Sequence, residues 1–446
     1  MPEGLTEKAK RLEVGVVPQG APVDGIVAGI LDMLGIAHSP SESNPTCLID
    51  TRARAATADR LGPGENAATV FFDDFLPIDP LLHALQGRPA TSSEAHVGPD
   101  LSANARALLE SICGRFWARG LPFVAKSFWP KDAPGCLVLT HDVDWFDYSP
   151  AHKAVRRGKS IPRFAGLLLR YVMGARSGTN IASTIQLEAG FGAKSTFLYR
   201  THYPSGQEKL PAAIRACQDS GCEVALHAAK KSHKNPLAMI NEKAEMEKAV
   251  GGPVSGLREH ALKFEYDKTW NCIEGAKFDY SMTFGLNDKT GFIGGLCHPY
   301  HPVTLEGRPH SFWEIPTSFM DWTLVRAGMR YEQIADLVRQ LRDSTIRLNG
   351  CFCVNFHNTY IDKDLFPDIE RAYRLLITEC KTSGFWTATA KECAEWWTRR
   401  DRSRLEARVE DGSLAVEVSD PDVTPKVYWP DGRTELWGQV SKVEGR

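Results

Sequence analysis

The stretch Leu137–Asp144, LVLTHDVD, decides how the rest of this chain is read. Its first residues carry mostly branched apolar side chains and predict a buried strand, which ends abruptly in His141, Asp142 and Asp144. A parallel strand leaving an apolar core delivers its last side chains to a rim, where α/β enzymes keep their chemistry. Val143 separates the two carboxylates, which are expected on opposite faces of a regular strand and brought into one pocket by a bulge or turn at its end. The plainer reading is an Asp-rich loop that caps the next helix.

What lies downstream favours chemistry. From Lys131 to Arg400 strand and helix patterns alternate. After LVLT the candidate strands are STFLY, CEVALH, VSGLR, FDYSM, FWEIP, CFCVNFH and FWTA. Helix-period stretches such as LPAAIRACQ, PLAMINEKAEMEKAV and YEQIADLVRQLRDSTI lie between them. About eight βα units over about 270 residues predict an α/β fold, a distorted (β/α) barrel over residues 131–400. Residues 1–130 read as a small α/β domain, with LEVGVV, CLID and ATVFF as strands and VDGIVAGILDML as a helix. Residues 401–446 alternate with period two around two Asp-Gly turns and read as an antiparallel β appendage.

Composition narrows the class. With 446 residues, 43% hydrophobic and 24% charged, the chain suits a globular protein of one large unit with small additions. A net charge of −2 argues against a nucleic-acid partner. Eleven cysteines without a CxxC pair suggest buried free thiols in a reducing compartment. The start, MPEGLTEKAK, has no apolar signal region, and no window predicts a membrane span, so a cytoplasmic location is expected.

Of thirteen histidines, ten fall between His141 and His357. His141, His227 and His357 end or nearly end apolar strands, and His260 follows VSGLR, positions that converge on one barrel face. Asp144, His227 and one more histidine make a mixed N/O set suited to Zn²⁺ or a similar divalent ion, with a position open for water. Asp142 would take a proton from that water and His357 would protonate a leaving group. A single strand-end histidine is more often a structural hydrogen-bonder; several on one rim beside two aspartates are not.

LTHDVD, GAKSTFLYR, EVALHAAKKSH, GLREHALKF, FDYSMTFG, GFIGGLCHPY, WEIPTSFMD and VNFHN, in that order, resemble the successive blocks of the polysaccharide deacetylase (NodB-homology) superfamily, in its HDVD-type members without secretion signals. The resemblance covers residues 133–400. It implies a barrel of seven or so strands and metal-dependent hydrolysis of an N-acyl group, usually on an amino sugar. By the same resemblance Asp142 is the catalytic base, Arg258 the arginine that orients it, Asp144 and His227 metal ligands, His357 the general acid and Asp321 the carboxylate that tunes it. The family spacing puts a second metal histidine at Lys231, which cannot coordinate as an ammonium. His233 and His260 are the two candidates for the third ligand, with His233 slightly preferred because five intervening residues can fold it back toward His227. Ile293 stands where many relatives carry arginine, a departure that bears on substrate recognition. The implied ion is Zn²⁺, with Co²⁺ or Ni²⁺ as alternatives.

Three functions compete. The first is N-deacetylation of an intracellular sugar, nucleotide-linked or lipid-linked. The second is hydrolysis of another non-peptide C–N bond on the same scaffold, and the third a non-catalytic scaffold with a degenerate barrel. Trp145, Phe146, Tyr148, Tyr300 and Trp322 are candidates for a sugar-stacking platform or for closing the barrel mouth. Between Asp147 and Glu188 the chain carries Lys153, Arg156, Arg157, Lys159, Arg163, Arg170 and Arg176 and no acid. That segment reads as a solvated loop and helix or, more sharply, as a contact for diphosphate or an anionic membrane surface. Asp73 and Asp74 imitate an acid pair, but no histidines follow closely, and a turn or cap is the better reading.

Overall fold

Cys136–Val143 forms the central strand, all eight of its residues buried. In the computed structural model the described residues are 10–17, 23–40, 47–50, 69–71, 75–76, 84–85, 100–146, 180–229, 231–363 and 365–438. On one side of the central strand lies Cys351–Asn355, paired in register from Cys351 opposite Cys136 to Asn355 opposite Thr140. The other side is shared. Trp386–Ala388 pairs with its lower half, and Thr196–Tyr199 pairs with its upper half, from Thr140 to Val143. Beyond Thr196–Tyr199 follow Glu223–Ala228, Gly256–Glu259, Tyr280–Ser281 and Trp313–Glu314, each parallel to the last. Beyond Cys351–Asn355 lies Thr317–Met320, also parallel.

The two ends of this path, Glu314 and Thr317, are separated only by Ile315 and Pro316. One interrupted strand therefore serves both edges, and an added bridge from Gly285 to Thr317 draws them together. Pro316 has no N–H to give a ladder, which suits it to the interruption. The sheet thus curls into a distorted (β/α) barrel whose interior is filled. Gly256 is one place where the filling requires glycine, because a Cβ there would meet the Tyr280 ring at 1.9 Å.

The crossovers carry the helices their patterns predict: Leu210–Asp219, Pro236–Val250, Tyr331–Leu348 and Pro367–Thr382. Pro236–Val250 shows local sequence setting both ends. Asn235 caps the start by accepting from Ala238 N, and Gly251 ends it in the left-handed region. Ile181–Gly190 and Ala390–Arg402 pack on the barrel as well, the latter opened by a Thr389–Glu392 capping box.

The terminal portions meet each other. A parallel four-stranded sheet of His38–Pro40, Val14–Val17, Cys47–Asp50 and Thr69–Phe71 accompanies the helix Val23–Leu34. At the other end, Leu405–Glu410 and Ser413–Val418 form a hairpin about Asp411 and Gly412, whose φ of 48° and 75° match a mirror-image two-residue turn. Lys10–Arg11 joins that hairpin's edge, and Phe123–Lys126 pairs antiparallel with Pro425–Tyr428. Buried Arg400 donates to the carbonyls of Ser127 and Asp32, while Lys126 donates to those of Arg400 and Ser403. All eleven cysteines are free and buried. No helix of the described residues is long and apolar enough to cross a membrane.

Candidate metal and acid–base site

Alternation along the central strand sets the site. Successive side chains of a strand point to opposite faces, so Thr140, Asp142 and Asp144 share the inner face while His141 points outward. The pairing of this strand runs without a register shift, and the expected bulge is not needed: residues two apart already share a face. Inside the barrel Asp142 Oδ1 accepts from Arg258 Nη1 at 2.9 Å and Oδ2 from Asn355 Nδ2 at 2.8 Å. The Arg258 guanidinium is fully buried and donates also to Thr140 Oγ1, Thr317 Oγ1 and the Met282 carbonyl. Burial alone would raise the Asp142 carboxyl, but the side chains facing it, His227 and Arg258 foremost, hold it at about 2.

Asp144, His227 and His260 converge one step nearer solvent. Asp144 Oδ1 lies 3.3 Å from His227 Nε2 and 3.0 Å from His260 Nδ1, and the two ring nitrogens lie 3.1 Å apart. Despite these distances Asp144 Oδ1 is buried without a hydrogen bond of proper geometry. Donors around a tetrahedral ion of the zinc type, bound at about 2.0–2.1 Å, stand about 3.3 Å apart, so an orphaned oxygen among two imidazoles fits a divalent cation. Against the burial, the two imidazoles hold the Asp144 carboxyl well below its ordinary value. His227 Nδ1 faces the Arg258 carbonyl at 3.1 Å, which fixes the tautomer and leaves Nε2 with a lone pair.

The two candidates for a third donor part company here. His260 belongs to the group, and Ala261 and Leu262 after it take left-handed conformations that turn the chain sharply. His233 does not. Lys231 is exposed and left-handed, with φ 63°, and the short helix Ser232–Lys234 that follows carries His233 aside. There its Nδ1 faces Glu259 at 4.0 Å without a hydrogen bond. Spacing along the chain favoured His233; the turn at Lys231 and the pairing of Arg258 with His227 across the ladder bring His260 instead.

His357 completes the mouth. Its Nε2 lies 3.9 Å from Asp144 Oδ2, while Nδ1 meets Asp321 Oδ1 at 2.6 Å and its backbone N–H meets Asp321 Oδ2 at 2.6 Å. Burial would lower this imidazole, but fully buried Asp321 outweighs it and lifts the ring to about 9. A carboxylate held ionised and an imidazole held protonated thus flank a cation-sized gap, an arrangement able to accept a proton on one side and donate one on the other.

Two features went unread in the sequence. Asn355 anchors Asp142 twice, since its Oδ1 also accepts from Asp142 N at 3.3 Å. Its signal was parity with Cys351 and Cys353 on an inward-facing strand. The other is the outward set of His141, Glu188, Ser195 and Tyr373, all buried. Of the proposed aromatic platform, Phe146 and Tyr300 are buried, whereas Trp145 and Trp322 keep partial exposure, Trp322 stacked on Tyr360. Ile293 lies in a short helix, Ile293–Gly295. Tyr148, the basic residues Lys153 to Arg176 and the pair Asp73–Asp74 lie outside the described residues.

At the opposite end of the barrel Cys136, Cys351 and Cys393 bring three buried thiols together. Burial holds Cys136 and Cys351 well above the ordinary thiol range, whereas against its own burial their hydrogen bonds lower Cys393 to about 6, and no fourth donor joins the three among the described residues. A cavity of about 660 Å³ also lies at that end, lined by Ser255, Asp279, Lys391 and Arg402 among others, and shares no residue with the site.

No family model and no curated protein matches the sequence. Solved structures that it resembles include Puue allantoinase, at 15% identity and TM-score 0.45 over 61% of this chain and 93% of that one. A probable polysaccharide deacetylase from Pseudomonas aeruginosa PAO1 aligns at 15% identity and TM-score 0.45, over 61% and 94%. The Bc1960 peptidoglycan N-acetylglucosamine deacetylase aligns at 13% identity and TM-score 0.31, over 60% and 90%. Polysaccharide deacetylases thus stand among its structural neighbours.

Proposed function

We propose that this chain is a metal-dependent hydrolase that removes an N-acyl group, acetyl first, from an amino sugar or glycoconjugate precursor. The observation that carries the reading is the orphaned Asp144 Oδ1 between His227 and His260, flanked by Asp142 and His357. Asp144, His227 and His260 would hold the ion, with Zn²⁺ preferred by its N/O donor set. Bound there, a divalent ion supplies a Lewis acid for the acyl carbonyl and the attacking water. Asp142, fixed by Arg258 and Asn355, accepts the water's proton on a carboxylate oxygen. His357, oriented through Nδ1 by Asp321, presents Nε2 to the departing nitrogen and donates a proton to it. Partly exposed Trp145 and Trp322 are suited to stacking on a pyranose face.

The acid-free basic run from Lys153 to Arg176 supports a substrate carried on diphosphate, nucleotide-linked or lipid-linked, because arginine pairs bidentately with phosphate oxygens. Buried free thiols support a reducing compartment.

Metal analysis tests the reading first. Asp144→Ala, His227→Ala and His260→Ala should each lose a stoichiometric ion while staying folded, and His233→Ala should keep it. A purified protein that binds no metal and gains none from Zn²⁺, Co²⁺ or Ni²⁺ would leave the scaffold alternative standing. Acetate release from UDP-N-acetylglucosamine, a lipid-linked N-acetyl sugar and a chitin oligomer then identifies the carrier.

A further inference from the structure

The outward face of the catalytic strand carries a buried polar assembly that the proposed chemistry does not use. His141 Nδ1 lies 2.8 Å from the Phe356 carbonyl and its Nε2 lies 2.6 Å from Glu188 Oε1. Glu188 belongs to the helix Ile181–Gly190 and accepts also from Ser195 Oγ at 2.6 Å and from the Tyr373 hydroxyl. His141 and Glu188 are both fully buried, and the ring is packed against Phe197 and Tyr373. One strand, two helices and the residue just before a second strand are therefore tied to one carboxylate.

Where the assembly meets the sheet decides its meaning. Phe356 N donates to the Thr140 carbonyl at 2.9 Å, the first half of a parallel bridge between Phe356 and His141. In a regular ladder Asp142 N would complete the bridge by donating to the Phe356 carbonyl. Instead Asp142 N turns to Asn355 Oδ1, and the Phe356 carbonyl receives His141 Nδ1. Two side chains replace one backbone bond at the point where the strands carrying Asp142 and His357 part. The ladder opens there without leaving a buried carbonyl unpaired.

We propose that His141, held by Glu188, is a positioning residue that sets His357 relative to Asp142 by fixing the Phe356 carbonyl. The inference rests on the roles given above to Asp142 and His357. Its two ring nitrogens can be separated by substitution. In His141→Asn the amide nitrogen takes the place of Nδ1 and keeps the bond to Phe356 while abandoning Glu188. In His141→Gln it takes the place of Nε2, keeps Glu188 and frees the Phe356 carbonyl.

The experiment compares the two variants with wild type for acetate release from UDP-N-acetylglucosamine, the lipid-linked sugar and the chitin oligomer, and for amide hydrogen exchange over residues 354–358. His141→Gln should lower kcat roughly 10²-fold, the order expected of misplacing a reacting group by about 1 Å, with KM and bound metal unchanged. His141→Asn should recover most of that loss even if it melts at a lower temperature. Exchange over 354–358 should quicken in Gln and stay near wild type in Asn. Equal kcat losses in the two variants, or a loss that follows melting temperature alone, overturn the inference. If wild type releases acetate from none of the three substrates, the proposed activity falls, and the exchange comparison alone decides the positioning role: equal exchange in the two variants then overturns it. Should His141→Gln fail to fold, His141→Asn alone carries the test: kcat and exchange over 354–358 should stay within a few-fold of wild type, and a roughly 10²-fold loss of kcat there overturns the inference.

Discussion

His357, partly buried, and His298, buried, stand at opposite ends of one barrel, and their surroundings drive them in opposite directions. At the open end Asp321 lifts the His357 ring to about 9 against the effect of burial. At the closed end burial wins, and His298 falls to about 4. Its ring is satisfied by neutral partners, Ser102 Oγ at 3.2 Å and the Leu348 carbonyl at 3.0 Å, and it stacks on Phe128. The difference teaches what makes a buried histidine reactive here. Hydrogen bonding is common to both; a carboxylate on one nitrogen, with the other left facing a gap, belongs to His357 alone of the two.

The largest effect that could break this contrast is on turnover. Asp142→Asn and His357→Gln should each lower kcat by about 10²–10⁴-fold and leave the bound ion in place. His298→Gln should leave kcat near wild type. Steady-state acetate release with metal content measured on the same samples checks all three. A His298 variant as impaired as the His357 variant would erase the distinction between the two ends.

Two buried arginines sharpen it at the next scale. Arg258 faces the Asp142 carboxylate, whereas among the described residues Arg400 donates to backbone carbonyls, of Ser127, Asp32 and Lys126, and burial lowers it to about 10. Arg258→Met strands a carboxylate inside the barrel and should cost about 3–5 kcal/mol in urea unfolding, together with most of kcat. Arg400→Met leaves carbonyls without donors and should cost stability while kcat of the folded fraction is kept. Urea unfolding followed beside activity separates them.

How much of this was legible depended on whether the signal was local. Strands such as Cys351–Asn355 announce themselves as apolar runs, and Asp144, His227 and His357 stand where such runs end. Thr317–Met320 did not, because Pro316 interrupts the pattern and the same strand serves two neighbours. The choice of His260 over His233 turns on the left-handed backbone at Lys231 and on a ladder register, neither written in residue spacing. Asn355 looked like one more polar residue in VNFHN until its partner across the ladder was known. The pairing of Phe123–Lys126 with Pro425–Tyr428 joins segments about 300 residues apart, and no periodicity within either one predicts the other.

The smallest effect is one of stability against pH, and it tests the closed end alone. His298 is 2% exposed and titrates at about 4 when folded against 6.5 in the open chain. Between those values the unfolded state binds the proton and the native state does not, so stability rises with pH across that window. The contribution is fully present above pH 6.5 and is lost as pH falls through 4, about 3 kcal/mol in all. Glu314 opposes it: burial raises that carboxyl to about 7, so its share of stability is full below 4.5 and fades as pH rises through 7. Buried Glu259, raised to about 8, runs in the same sense as Glu314, so the wild-type curve alone does not isolate His298. Urea unfolding of metal-free protein, with wild type compared with His298→Gln at each pH, removes Glu314 from the difference. The variant should lose the rising limb and become less stable as pH increases. Parallel curves for the two proteins would mean that His298 titrates alike folded and unfolded, and that the closed end is not the neutral, apolar counterpart of the site.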